Sequence, residues 1–423
     1  MYKAFVKKLS SAYAWVILII LFLGLLASFG ARSSFGAYVN PWESDFSVSR
    51  TIVTSISTLS FIVYAIAQPL TGKLHDSLGG RIVPSVSIIL VGLCFLLSSM
   101  ANQIWQLFIL YGVVLSLGVA GSSNVIVTAI LSNWFKEKRG FALGLAVSGM
   151  AVGQLIIVPA SLFLIESYSW RISLRIIGII ILVAIVPLMV IFVRSRPEEL
   201  GLRPYGDNSK ENDSPEINKQ VTAPQTNTSL FSVIKLKSFW QLAIVNFICG
   251  FTDVGIIGTH LIPYTQGKNF NTATVAATLS TIAAFNIIGA IATGHFSDRY
   301  NRSRQLGIIY AARAITFIFL LSIKSSWLLI PFAVFYGSTE MATIAPINSL
   351  AVNLFEKYSI GTIVGFISLS HQLGGALGSW IPGLIYDISE SYVIVFVLSA
   401  VLLIAVSLIS LSIPEPRKEL LRR

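Results

Sequence analysis

Charge is scarce in this chain. Only 12% of its 423 residues are Asp, Glu, Lys or Arg, against 54% hydrophobic residues, and the mean hydropathy is +0.77. No soluble domain could bury that apolar share, so the composition excludes a soluble enzyme or binding module and points to a polytopic membrane protein. Cysteine is nearly absent. Cys94 and Cys249 sit inside apolar runs and read as small buried residues rather than as a disulfide. Acidic residues number 19 against 30 basic ones, a formal charge of +11. That excess fits cationic loops beside anionic lipid better than nucleic acid. No phosphate-binding Gly-x-x-x-x-Gly-Lys loop is present, so ATP-driven work by this chain is not expected. The four histidines are scattered. With no metal-ligand spacing and no nucleophilic triad, neither a cofactor nor a metal is expected, and the chain reads as a non-enzyme. The first apolar run, Ala14 to Ala31, is too long for a cleaved signal and lacks a small-residue cleavage site.

What is present is a succession of apolar runs. Twelve helical spans are predicted, each about 20 residues long as a bilayer requires. They run Tyr13–Tyr38, Val53–Leu74, Ile82–Ser99, Trp105–Trp134, Phe141–Ile165, Leu174–Val193, Phe239–Ile262, Thr274–His295, Gln305–Ile323, Trp327–Leu354, Gly361–Ile385 and Val393–Leu411. With the N-terminus inside, Lys and Arg crowd the inner segments. Only Arg50, Arg171, Arg175, Lys268 and Lys324 fall outside, and Arg32 and Arg313 lie within spans. The asymmetry predicts that both termini are cytoplasmic.

Residues 195–238, rich in Pro, Asn, Ser, Thr and charge, read as a cytoplasmic linker between an N-terminal six-helix bundle (1–194) and a C-terminal one (239–423). Its sequons, such as Asn227–Ser229, would then be cytoplasmic and unused. The halves repeat. Gly72-Lys-Leu-His-Asp76 recurs as Gly294-His-Phe-Ser-Asp298, Gly36 and Pro41 as Gly258 and Pro263, and Gly140, Gly144 and Gly153 as Gly361, Gly365 and Gly374. Such a duplication predicts an all-α membrane protein of two pseudo-symmetric bundles.

The inner loop after the second span reads Gly72-x-x-x-Asp76-Ser77-x-Gly79-x-Arg81. It resembles the signature loop of the major facilitator superfamily, and the resemblance covers the whole chain. It implies the major facilitator fold and a conformational latch made by Gly72, Asp76, Gly79 and Arg81, echoed by Asp298 and Arg299. The echo departs from the pattern, with Asn301 in place of the glycine and Ser303 in place of the later basic residue. Arg32-Ser-Ser-Phe-Gly-x-Tyr38, Phe46-Ser-Val-Ser-Arg50, Trp134-Phe-Lys-Glu-Lys-Arg-Gly140 and Gly201-Leu-Arg-Pro204 are similar to the monocarboxylate transporter and oxalate–formate antiporter branch. The second half, with Cys249-Gly-Phe251, Thr259-His-Leu261 and His371-Gln-Leu-Gly-Gly375, looks like bacterial relatives of unsettled substrate. The resemblance places that branch's basic residue of span 1 at Arg32. The branch's Asp and Arg of span 8 fall at Asn286 and Ala290, so its carboxylate clamp is missing there.

Intramembrane polar residues cost about 2.5–3.5 kcal/mol near a helix centre, so each needs a reason. Arg32 either snorkels outward or pairs bidentately with a carboxylate. Asn246, Asp253, His260 and Tyr264 share one face of span 7. Asp253 lies one residue from the repeat mate of Arg32, which makes an Arg32–Asp253 pair one expectation. His260 reads either as a titrating site residue or as a hydrated histidine near the surface. Arg313 and Glu340, both mid-span, are expected to form a structural ion pair. His371 opens the Gly-rich run of span 11. Tyr64 on span 2 and Asn124 on span 4 are candidate pocket donors.

The expectation is a secondary transporter of a small organic anion, a monocarboxylate, working as a monomer in the plasma membrane with protons or a counter-anion as coupled species. Arg32, Asn286, His371, His260, Tyr64 and Asn124 are the substrate-binding candidates. Asp253, Glu340 and Arg313 are the coupling or gating candidates. The alternatives are a proton-coupled exporter of drugs or cations, using Asp253 and Glu340, and a transport-dead sensor.

Overall fold

A computed structural model describes residues 2–206, 233–355 and 360–415; the side chains of 2–11, 76, 298 and 360–362 also lie outside the described set. The central part of the expected linker, 207–232 with its sequons, is therefore not described, nor is Lys357. Among the described residues there is no strand, only an isolated bridge between Phe135 and Tyr205.

The helices are α1 (Tyr2–Ser33), α2 (Phe35–Phe46), α3 (Arg50–Leu78), α4 (Ile82–Ser98), α5 (Ile104–Trp134), α6 (Arg139–Ser167), α7 (Trp170–Phe192), α8 (Lys237–Gly267), α9 (Thr272–Arg299), α10 (Arg302–Ser322), α11 (Ser326–Leu354), α12 (Ile360–Ser389) and α13 (Val393–Leu411). Ten of them are long and apolar enough to cross a membrane. With the shorter apolar α4 and with α12 they make twelve membrane helices, α2 extending the first beyond a break at Ser34. The chain is thus an all-α membrane protein of two six-helix bundles. It divides into two compact units, Met1–Val48 with Leu59–Asn218, and Ser49–Thr58 with Lys219–Arg423.

Several helices depart from regular winding, which hydropathy does not signal. Among the described residues three π-helical turns occur, at Phe108–Val114 in α5, Ile181–Ile185 in α7 and Phe251–Ile257 in α8. Helix α11 narrows to a 3-10 turn at Met341–Thr343. Such irregular turns release backbone groups from the i→i+4 ladder, and they gather at functional sites.

In the first unit α1 packs on α6. A Cβ on Gly153 would run into the carbonyl of Leu26 and the backbone of Gly30, and one on Gly149 into the carbonyl of Phe22. The second unit repeats the contact 221 residues later: a Cβ on Gly374 would meet the carbonyl of Phe247 and the amide of Phe251. Small residues let membrane helices close to this distance. The duplication read in the sequence is therefore also a duplication of helix contacts.

Between α3 and α4 Gly79 adopts φ +87°, a left-handed conformation that disfavours any side chain. The amide of Gly80 donates to Ser195 Oγ, and Arg81 Nε to the carbonyl of Val190 at 3.0 Å. The turn is thereby tied to the end of α7. The corresponding Asn301 has φ −65°, and its side chain accepts from the amide of Arg304 at 2.8 Å, capping α10. No left-handed residue is needed there, which accounts for the lost glycine.

Candidate functional site

Two polar clusters and one hydrogen-bonded relay carry the candidate residues. Arg32 lies in the last turn of α1, in the first unit. Its guanidinium stands over two rings of α3, 4.1 Å from the centroid of Tyr64 and 4.6 Å from that of Phe61. Partly buried cations hold such positions by attraction to the ring faces. Tyr111 secures the helix end beneath, donating to the carbonyl of Ala31 at 2.8 Å. Tyr64 is thus a neighbour of Arg32, and Phe61 is one the sequence did not single out. Asn124 is exposed and begins the helical segment that follows the bend at Ser122–Ser123 in α5.

The second cluster lies inside the second unit, where α8, α9, α10, α11 and α12 contribute. Gly250 of α8 faces the backbone of His371 on α12, and Gly255 faces that of Gly375 and Gly378, so closely that a Cβ on either α8 glycine would collide. This approach sets Cys249, Asp253 and His371 side by side, with one sulfur, nitrogen or oxygen atom of each within 4.8 Å of the others. Asp253 falls in the π-helical turn and accepts from Tyr336 Oη at 3.4 Å. The carboxyl of Glu340, at the last residue before the 3-10 turn of α11, adjoins that of Asp253. Asn286 Nδ2 donates to Glu340 Oε2 at 2.8 Å, while its own Oδ1 is buried without a hydrogen-bond donor.

The expected Arg313–Glu340 ion pair is not what forms. Arg313 is fully buried. One of its terminal nitrogens donates to the backbone carbonyls of Thr339 and of Glu340, the latter at 2.8 Å, and the other to Cys249 Sγ at 3.3 Å. The physical reason is the 3-10 turn, which leaves those carbonyls exposed to a donor. Cys249, read as a small apolar residue, consequently has polar neighbours, Thr343 Oγ1 at 3.5 Å among them.

The polar face of α8 meets helix α12 over most of its length. Asn246 Nδ2 donates to the carbonyl of Ile367 at 2.6 Å, Asp253 stands beside His371, and His260 reaches the carbonyl of Ser379 at 2.7 Å. Tyr264 departs from that face and donates to the carbonyl of Leu320 on α10. His260 is not a hydrated surface histidine: it is fully buried, and both ring nitrogens are engaged by protein. A carbonyl only accepts, so Nε2 carries the proton. Nδ1 accepts from Tyr392 Oη at 3.0 Å, and Tyr392 Oη in turn accepts from Arg50 Nη1 at 3.0 Å.

This relay ends at the start of α3, whose first turn belongs to the second unit. The carboxylate of Asp387 accepts from the amide of Arg50 at 3.1 Å, the amide of Thr51 at 2.9 Å and the hydroxyl of Thr51. It caps the helix, where N–H groups lack partners and the dipole favours negative charge. Burial raises the Asp387 pKa, but the bonds from Thr51, Ser49 and the Arg50 amide outweigh it, and the carboxyl is held below its usual range. The Arg50 guanidinium lies 3.9 Å from the Tyr386 ring centroid. Sequence reasoning placed Arg50 among the outer charges and in the Phe46–Arg50 motif without giving it a site role, and missed Asp387, Tyr386 and Tyr392. Their position at span ends was the available signal. Arg32 belongs to the first unit and Asp253 to the second.

The profile of the Major Facilitator Superfamily matches residues 20–379 and 273–423. An uncharacterized MFS-type transporter, YcxA of Bacillus subtilis (strain 168), is 24% identical over 391 residues, 90% of each chain. Monocarboxylate transporter 13 of Rattus norvegicus is 24% identical over 412 residues, 95% of this chain and 89% of its own. Among solved structures, an inward-facing, occupied bacterial homolog of the human lysosomal transporter Spinster superposes with a TM-score of 0.75 at 15% identity. That match covers 94% of this chain and 96% of the other.

Proposed function

The chain belongs to the major facilitator superfamily, and on that premise we propose that it is a secondary active transporter of a small organic anion, a monocarboxylate. It works by alternating access in the plasma membrane, as a monomer with both termini cytoplasmic, with protons or a counter-anion as the coupled species. The observation that carries the reading is Arg32, a guanidinium kept inside an apolar helix bundle and positioned over Tyr64 and Phe61. A planar fork of donors so placed suits a carboxylate. The kinship to a rat protein named as a monocarboxylate transporter supports the substrate class.

In this reading Arg32 anchors the carboxylate, with Tyr64 beside it and Asn124 as a further candidate donor in the first unit. Asn286, His371 and His260 contribute from the second, His260 by holding structure rather than by touching substrate. Asp253, Glu340 and Arg313 form the charged group assigned to coupling or gating. Gly72, Asp76, Gly79 and Arg81, with Asp298 and Arg299, form the conformational latch. The test is uptake of labelled short-chain monocarboxylates into proteoliposomes, with and without an inward proton gradient or internal counter-anion. Uptake that requires Arg32 supports the reading; undiminished uptake by the Arg32→Ala variant overturns the anchor.

A second reading, export of cationic or lipophilic compounds, is favoured by one observation. Arg313 bonds carbonyl oxygens, so it does not neutralise either acid directly. Accumulation of a cationic dye by the same proteoliposomes, lost in Asp253→Asn while carboxylate uptake is absent throughout, would select this reading.

A further inference from the structure

We propose that Cys249, Asp253 and His371 form a binding site for a borderline divalent cation of the Zn²⁺ class, with Glu340 completing it. The sequence gives no metal-ligand spacing, since His371 lies 122 residues from Cys249. The fold supplies the juxtaposition, through the glycine-lined contact of α8 with α12. One ligand atom from each of the three residues lies within 4.8 Å of the others, and Cys249 and Asp253 are buried. Tetrahedral zinc with bonds of about 2.0–2.3 Å sets its ligand atoms about 3.3–3.8 Å apart. The difference is within reach of side-chain rotation. Glu340 adjoins Asp253 and offers the fourth ligand from α11.

The donor set chooses the cation. Calcium and magnesium take six or more oxygen ligands, whereas thiolate and imidazole with carboxylate suit zinc and its neighbours. The charge count points the same way. In the metal-bound state a thiolate, two carboxylates and the Arg313 guanidinium would together carry two negative charges, which one dication cancels. Arg313 Nη1, 3.3 Å from Cys249 Sγ, gives the sulfur the electropositive setting in which ligating thiols occur. Asn286 Oδ1, buried and lacking a donor, adds an acceptor beside Glu340. Both carboxyl groups are held by hydrogen bonds from behind, Glu340 by Asn286 and Asp253 by Tyr336.

The site is tested on the full chain in detergent with Co²⁺ as the spectroscopic probe and Zn²⁺ as competitor. We expect one equivalent of Co²⁺, a near-ultraviolet thiolate-to-cobalt charge-transfer band, and displacement of that band by Zn²⁺. Cys249→Ser should abolish the band and His371→Gln should weaken binding at least tenfold, whereas Cys94→Ser should leave both unchanged. Wild-type protein without the band at excess Co²⁺ overturns the proposal, whatever the variants do. So does a band that survives in Cys249→Ser. Because binding is read directly, failure here leaves the transport reading untouched, and failure of transport leaves this site untouched.

Discussion

The imidazole of His260 donates through Nε2 to the carbonyl of Ser379 across 2.7 Å. With Nδ1 accepting from Tyr392, the ring is a neutral connector between α8, α12 and the start of α13. Removing it takes the donor from a buried carbonyl and the acceptor from the Tyr392 hydroxyl, a loss of about 1–3 kcal/mol. His260→Ala should therefore lower the melting temperature in detergent clearly while leaving the KM of any surviving uptake unchanged. A raised KM at unaltered stability would instead make His260 a substrate ligand.

Arg32 should behave as a fork rather than a point charge. Lys cannot reproduce two parallel N–H donors or the stacked position over Tyr64 and Phe61. Arg32→Lys should raise the KM for carboxylate at least tenfold, about 1.4 kcal/mol, and Arg32→Ala should abolish uptake. Initial-rate measurements in proteoliposomes decide it.

Gly374 and Gly365 offer a paired test of helix contact. A Cβ at 374 would collide with the carbonyl of Phe247, whereas one at 365 meets nothing within 4 Å. Gly374→Ala should cost about 1–3 kcal/mol by overpacking. Gly365→Ala should be neutral or stabilising, since alanine is the better helix former. Thermal unfolding of the two variants in one detergent compares them.

Asp387 gives a pH signature. Its carboxyl is held below the usual range, so its contribution to stability is complete above the unfolded carboxylate value of about 4. It is lost as pH falls through the depressed folded value. The stability gap between wild type and Asp387→Asn should be present at pH 7 and close only in the acid range below about 4. A gap that stays constant through that range would exclude the charged cap.

The sequence made the twelve spans and the duplication legible because both depend on local pattern. Hydropathy marks each apolar run, and the offset of 221 residues links Gly153 to Gly374, which make the same contact in each half. The interior of the second unit was less legible. That Glu340 adjoins Asp253 depends on where α11 lies against α8, and no spacing within either helix reveals it. The Arg313 partner was misread for a further reason. Opposite charges suggest a pair, but a 3-10 turn after Glu340 presents carbonyl oxygens first, and such a turn has no hydrophobic period. Arg50 was undervalued because a lone outer cation looks solvated until Tyr386, Tyr392 and Asp387 are placed around its helix end.

The carbonyls of Thr339 and Glu340 act toward Arg313 as a fixed solvent, much as main-chain oxygens replace water around an ion in a selectivity filter. A cation solvated by the main chain does not depend on the side chain next to it. Glu340→Gln should therefore keep Arg313 seated and the fold intact, with thermal stability close to wild type. Position 340 can then change its charge, and with it what the second unit attracts, without the bundle having to be rebuilt around a stranded arginine.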